Sequence, residues 1–140
     1  MTRLTMLLVS MLLALPAAVQ AHDDASLDKV KAPNGGQLRA AGIYHFELVL
    51  AREAREAKDH PVMVYLSDHA GAAVASAGAT GTVTLLGKGG AVRVALAPDG
   101  ANRLKGAGRY VADPDLKAVV SVTLAGKPAE QARFTPFRAR

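Results

Sequence analysis

The chain has 140 residues, and half of them are hydrophobic, which excludes a disordered chain and leaves too little length for two domains with separate cores. It has no cysteine, no tryptophan and only 4% aromatic residues, so disulfides, thiolate metal sites and cysteine nucleophiles are excluded and a stacked-aromatic platform for bases is disfavoured. The formal net charge is +5, but the basic residues are scattered, so a solvated surface accounts for them better than nucleic-acid binding.

The first 21 residues have the organisation of a secretory signal peptide. Arg3 gives a positively charged amino-terminal region, and a nearly uninterrupted apolar run follows over Leu4–Leu15. Val19-Gln20-Ala21 then places small residues at the last and third-last positions before a cleavage site. The alternative, a membrane anchor, is weaker because a run of about a dozen residues is too short to cross ~30 Å of hydrocarbon. We therefore expect cleavage after Ala21 and a periplasmic protein that is not embedded in the membrane.

The rest of the chain reads as a leader followed by one β domain. Residues 22–35 are polar and end in a Pro-Asn-Gly-Gly turn, which predicts a flexible leader. Residues 36–140 predict a single domain, with Ala51–Lys58 as a charged loop or one helical turn between strands. About seven to nine short strands separated by turns predict an all-β fold, an antiparallel β-sandwich that is immunoglobulin-like in a broad sense. The predicted strands are Ile43–Leu50, Val62–Ser67, Thr80–Leu86, Ala91–Ala97 and Ala118–Leu124, with shorter candidates at Gly36–Ala40, Ala73–Ala77, Arg109–Ala112 and Gln131–Pro136.

Four histidines carry the candidate chemistry, and His45 is the most informative. His45 and Glu47 are two residues apart on a predicted strand, so their side chains leave the same face about 7 Å apart. An imidazole and a carboxylate at that spacing can converge on one copper or zinc ion. The alternative is that the outer face of an amphipathic strand is simply polar.

The other histidines are candidates of different kinds. His60 and His69 bracket the strand Val62–Ser67, which is about 20 Å long, so at most one of them can join His45. His69 has Asp68 beside it as a second metal-supporting group, although the same residues also suit an ordinary turn. Cleavage after Ala21 would make His22 the amino-terminal residue, whose α-amine and Nδ1 could chelate copper(II) unless the leader is disordered.

Catalytic motifs are absent from the sequence. There is no Gly-x-Ser-x-Gly elbow and no HExxH zinc motif. Gly87-Lys88-Gly89-Gly90 lacks the flanking pattern of a phosphate-binding loop and reads as a hairpin. We therefore expect a protein that is not an enzyme, with a hydrolase as a distant alternative.

A string of strand and turn motifs over Ala32–Phe134 resembles one group of proteins. It consists of Pro33–Gly36, His45–Val49, Val64–Asp68, Ala77–Val83 and Leu96–Asn102. It resembles small periplasmic proteins associated with heavy-metal efflux and is similar to a β domain of the membrane-fusion (periplasmic adaptor) subunits of heavy-metal resistance–nodulation–division pumps. The resemblance implies a role with metal ions and contact with components of such a pump. The family usually reads Pro-His-Gly-Gly where this chain has Asn34, so a ligand at that position would be lost here.

Taken together, the sequence predicts a periplasmic accessory protein of copper or zinc efflux that binds a divalent metal stoichiometrically. His45 and Glu47 are the core candidate ligands, and His69 and His22 are the additional ones. The alternative is a metal-free interaction module that docks on a pump or another envelope protein through a strand edge.

Overall fold

The computed structural model describes residues 24–140, which form an all-β domain after one short helix. The predicted signal peptide and His22 lie outside these residues. The elements are α1 (Asp24–Leu27), β1 (Gln37–Ala41), β2 (Tyr44–Leu50), β3 (Lys58–Asp68), β4 (Thr80–Gly87), β5 (Gly90–Pro98), β6 (Arg103–Tyr110), β7 (Lys117–Thr123) and β8 (Ala129–Phe134). No helix within residues 24–140 is long and apolar enough to span a membrane.

The eight strands form one antiparallel sheet in the order β1-β2-β3-β6-β5-β4-β7-β8. The two outer strands, β1 and β8, lie against each other, so the sheet is nearly closed into a barrel. Alternating residues point inward from both halves, for example Val62 and Val64 of β3 and Val83 and Leu85 of β4, and all four are buried. The predicted all-β antiparallel class is confirmed. The two halves of the sheet pack against each other around one core, and they are continuous as a single curved sheet.

Most predicted strands are present, and the main departure is β6. The sequence predicts a strand only at Arg109–Ala112, whereas β6 begins at Arg103 and ends at Tyr110. Gly106 and Gly108 interrupt its apolar pattern, and glycine is typical of turns more often than of strand interiors. The candidate strand at Ala73–Ala77 forms a single bridge, between Ser67 and Ala73. Residues 51–57 are a loop without helix.

The described part of the leader, residues 24–35, lies on the outer face of β1 and β2. Leu27 and Ala32 are buried together with Leu38 of β1, forming a small apolar cluster outside the main core. Arg39 fixes the same segment, because its Nη1 donates to Asp28 Oδ1 at 2.8 Å. This hydrogen bond holds the pKa of the Asp28 carboxyl below its usual value. The leader thereby covers the face from which His45 and Glu47 project.

Candidate functional site

The imidazoles of His45 and His69 meet although 24 positions separate them in the sequence. In the β2–β3 ladder His45 lies opposite Ser67, so the chain that leaves β3 passes directly beside His45. The two rings are stacked, with centroids 4.6 Å apart and planes inclined by 22°. The fold therefore brings His69, and not His60, to His45. The sequence predicts His60 in the loop before the strand, whereas β3 begins at Lys58 and includes His60.

A tight turn after β3 sets the position of His69. The Asp68 carboxylate oxygen Oδ1 accepts hydrogen bonds from the backbone N–H groups of Ala70 at 2.9 Å and Ala72 at 2.8 Å. Gly71 supplies the positive φ of +83° that this turn requires. The turn directs the His69 ring back toward the β1–β2 hairpin, where its Nε2 lies 3.3 Å from the Gly42 carbonyl oxygen. Asp68 thus acts as the Asx-type turn residue that was the alternative interpretation from the sequence, and it sets the course of the backbone at His69.

Glu47 is on the same strand face but is held by the leader. Its Oε1 accepts hydrogen bonds from the backbone N–H groups of Asn34 at 2.8 Å and Gly36 at 2.9 Å, and its Oε2 accepts one from Asn34 Nδ2 at 2.9 Å. A carboxylate has about four acceptor positions on its two oxygens. Three of them are engaged here, so Glu47 closes the Pro-Asn-Gly-Gly turn and has little capacity left for an ion.

A pocket of about 420 Å³ lies between this strand face and the leader. His45, Glu47 and His69 line it together with Val30, Asn34 and Tyr65. The side chains expected on an exposed polar face are in fact covered, since His45 is 7% exposed and Glu47 2% exposed. The leader contains few apolar residues, and two of them, Leu27 and Ala32, are the sequence signal that could have indicated that the leader packs over this strand face.

Of the two remaining histidines, only His60 is among the described residues, and it does not line this pocket. His60 lies near the beginning of β3, opposite Gly108 of β6, and its Nε2 is 2.9 Å from the Glu56 carbonyl oxygen. The length of β3 therefore separates it from His69, as the sequence indicates. His22 lies outside the described residues. Across residues 24–140, no three His, Asp or Glu side chains are grouped so as to hold a metal ion.

Comparisons with protein-family models, with curated proteins and with solved structures found no match to this chain. The relationship to the adaptor domains of heavy-metal pumps stays a hypothesis based on the sequence motifs alone.

Proposed function

We propose that this protein is a periplasmic accessory of copper or zinc efflux or homeostasis, which binds one divalent ion through His45 and His69. The observation that carries the proposal is the contact between these two imidazoles, in a pocket that also contains a carboxylate. Neutral imidazole is the commonest protein ligand for both metals. The strand register and the Asp68 turn bring these residues together.

The chemistry of the pair favours reversible binding. Zinc takes imidazole nitrogens at about 2.0–2.1 Å, so a small rotation of the two stacked rings has to bring one nitrogen of each toward a common point. Two protein ligands leave further coordination positions for water or for a group of another protein. Glu47 joins the ion only through its remaining acceptor position or by releasing Asn34. Such an incomplete site suits buffering or transfer of an ion better than permanent structural retention.

His22 is a further candidate ligand because cleavage after Ala21 would give it a free α-amine. The leader that follows it packs on β1, next to β2, which carries His45. An amine and an imidazole nitrogen from one residue fit the nitrogen preference of copper(II). This addition depends on the site of cleavage, whereas the His45–His69 pair does not.

The alternative of a metal-free docking module receives less support from the fold. Docking by strand addition needs an open sheet edge. The edge strands β1 and β8 lie against each other, which protects both of them. Within the described sheet, docking by strand addition is therefore left to the stretch of β5 and β6 beyond their two paired positions.

Isothermal titration calorimetry of the mature chain with copper(II) and zinc tests the proposal. We expect one ion per chain, and we expect His45→Ala and His69→Ala each to weaken binding at least tenfold, about 1.4 kcal/mol. His60→Ala is the matched control and should leave the affinity unchanged. Because protons compete for the ligand imidazoles, the affinity should fall below pH ~6.5. If the unmutated protein takes up neither metal at micromolar concentration near neutral pH, the metal proposal is wrong and the docking module replaces it.

A further inference from the structure

The turn that Glu47 closes contains Asn34-Gly35, a pair of residues prone to deamidation. Deamidation starts when the backbone nitrogen of the following residue attacks Cγ, the side-chain carbonyl carbon of asparagine. Glycine as the following residue favours this attack, because it has no side chain to obstruct the approach. No atom lies within 4 Å of a Cβ built at Gly35, and both residues are exposed. The reactive pair is therefore accessible to the water that the reaction consumes.

The fold nevertheless engages both nitrogen atoms that take part in the reaction. The backbone nitrogen of Gly35, the nucleophile, donates to the Ala32 carbonyl oxygen at 3.2 Å. The leaving group, Nδ2 of Asn34, donates to Oε2 of Glu47 at 2.9 Å. The backbone N–H groups of Asn34 and Gly36 both donate to Oε1 of the same carboxylate. The attack needs the Gly35 nitrogen to turn away from Ala32 and toward Cγ, so these hydrogen bonds have to break first.

Contacts elsewhere in the leader determine how often this turn is released. Leu27 and Ala32 are buried against Leu38 of β1, and Asp28 Oδ1 accepts a hydrogen bond from Arg39 Nη1 at 2.8 Å. A short segment with few buried contacts opens locally at a lower free energy than the whole domain. The deamidation rate should then equal the rate in an unfolded chain multiplied by the fraction of molecules whose leader is detached.

We propose that Asn34 is a deamidation site and that the attachment of the leader to Glu47 controls its rate. In the detached leader, the Gly35 nitrogen forms a bond to Cγ of Asn34, and the bond from Cγ to Nδ2 breaks. The proton of the Gly35 N–H leaves with the Nδ2 amino group as ammonia, and a five-membered succinimide remains. One water molecule then opens this ring and gives aspartate, or isoaspartate, in which the main chain passes through Cγ.

Either product weakens the return of the leader to its place. A carboxylate at position 34 cannot donate to Oε2 of Glu47, and it brings a second negative charge against that oxygen. Isoaspartate also adds one carbon atom to the main chain and so displaces the Gly36 N–H from the same carboxylate. Because the leader covers the pocket that His45 and His69 line, deamidation should uncover this pocket. The reaction requires no metal ion and is independent of the proposed metal function.

The experiment is incubation of the mature chain near neutral pH, with peptide mass spectrometry to follow the conversion of amide to acid. We expect Asn34 to react at least about tenfold more slowly in the folded chain than in the same chain unfolded in urea. In the unfolded chain, Asn102 is the internal control and should react more slowly than Asn34, because Arg103 follows it. Equal folded and unfolded rates at Asn34 overturn the control by the leader. An unfolded chain in which Asn34 reacts no faster than Asn102 overturns the site.

Variants that loosen the leader test its control of the rate. Glu47→Gln removes an acceptor of the Asn34 turn and should raise the rate at Asn34 in the folded chain at least about fivefold. Asp28→Asn weakens the attachment without touching Asn34 and should raise the rate by about two- to fivefold, because its ion pair with Arg39 is partly exposed. Asp115→Asn, at an exposed residue outside the leader, is the matched control. Equal rates in the control and in both leader variants contradict the proposal.

Hydrogen exchange at the Gly36 amide measures detachment of the leader directly, because this N–H donates to Glu47 in the attached state. In Asp28→Asn, exchange at Gly36 and deamidation at Asn34 should accelerate by the same factor, since both proceed from the detached leader. Faster exchange without faster deamidation contradicts this route. Asn34→Asp reproduces one product and should accelerate exchange at Gly36 at least about fivefold. Unchanged exchange in Asn34→Asp would show that the modification does not release the leader.

Discussion

The side-chain nitrogen Nδ2 of Asn34 lies 2.9 Å from Oε2 of Glu47, and the backbone nitrogen of Asn34 lies 2.8 Å from Oε1 of the same carboxylate. This contact joins a turn of the leader to the middle of β2. It also places position 34 at the candidate site. In this chain Glu47 serves first as an acceptor that secures the leader.

Replacing the Glu47 carboxylate should therefore destabilise the domain. Glu47→Gln puts an amide NH₂ among the three N–H donors of Asn34 and Gly36, so at least one buried donor loses its acceptor. We expect a decrease of about 1–3 kcal/mol in the free energy of unfolding, measured by urea denaturation of the mature chain. Glu53→Gln, in the exposed loop after β2, is the control. An unchanged denaturation midpoint for Glu47→Gln would contradict this role.

The variant Asn34→His tests whether position 34 can supply a further ligand to the site. It removes one hydrogen bond to Glu47 but keeps the backbone N–H bond, and it adds an imidazole beside the pocket that holds His45 and His69. We expect copper(II) or zinc affinity to rise at least about tenfold, because a third nitrogen ligand becomes available. Calorimetry measures the change, and Asn34→Gln is the control for loss of the asparagine alone. Equal affinities for the two variants would show that position 34 does not reach the ion.

The sequence predicts local relationships at this site well and distant ones poorly. Alternation along β2 is sufficient to place His45 and Glu47 on one face, because it depends only on the period of a strand. The contact of His45 with His69 depends on the β2–β3 register and on the Asp68 turn, and a single sequence specifies neither. The burial of this face depends on Leu27 and Ala32, two apolar residues in a polar segment, which is too weak a pattern to indicate packing.

Loss of the Asp28 charge in acid should weaken the attachment of the leader to the domain. The hydrogen bond that the Asp28 carboxylate accepts from Arg39 lowers the pKa of Asp28 in the folded protein. The contribution of this carboxylate to stability is therefore fully present above its unfolded pKa of about 3.9 and is lost as the pH falls through the lower folded value. We expect Asp28→Asn to reduce the melting temperature at pH 6 and to flatten its decline below pH 4. Asp115→Asn is the control, and an unaltered pH profile for Asp28→Asn would contradict the prediction.

Export of the protein should generate a defined amino terminus. The Val19-Gln20-Ala21 sequence predicts cleavage that leaves His22 as the first residue. Intact-mass spectrometry of protein from a periplasmic extract measures this directly. A different first residue would remove the α-amine chelate at His22 and leave the His45–His69 proposal unchanged.

The close approach of β5 and β6 should make Gly106 sensitive to substitution. A Cβ at Gly106 would collide with the Ala95 carbonyl oxygen and lie 2.8 Å from Cγ1 of Val94. Gly106→Ala must push β5 away from β6, and we expect it to lower the free energy of unfolding by about 1–3 kcal/mol, measured by urea denaturation. Gly89→Ala, in the β4–β5 turn, is the matched control: no atom lies within 4 Å of its Cβ. Its φ is not positive, so the added methyl should be neutral or stabilise by up to about 1 kcal/mol. If both variants unfold at the same urea concentration, the close approach of β6 to β5 does not require glycine at position 106.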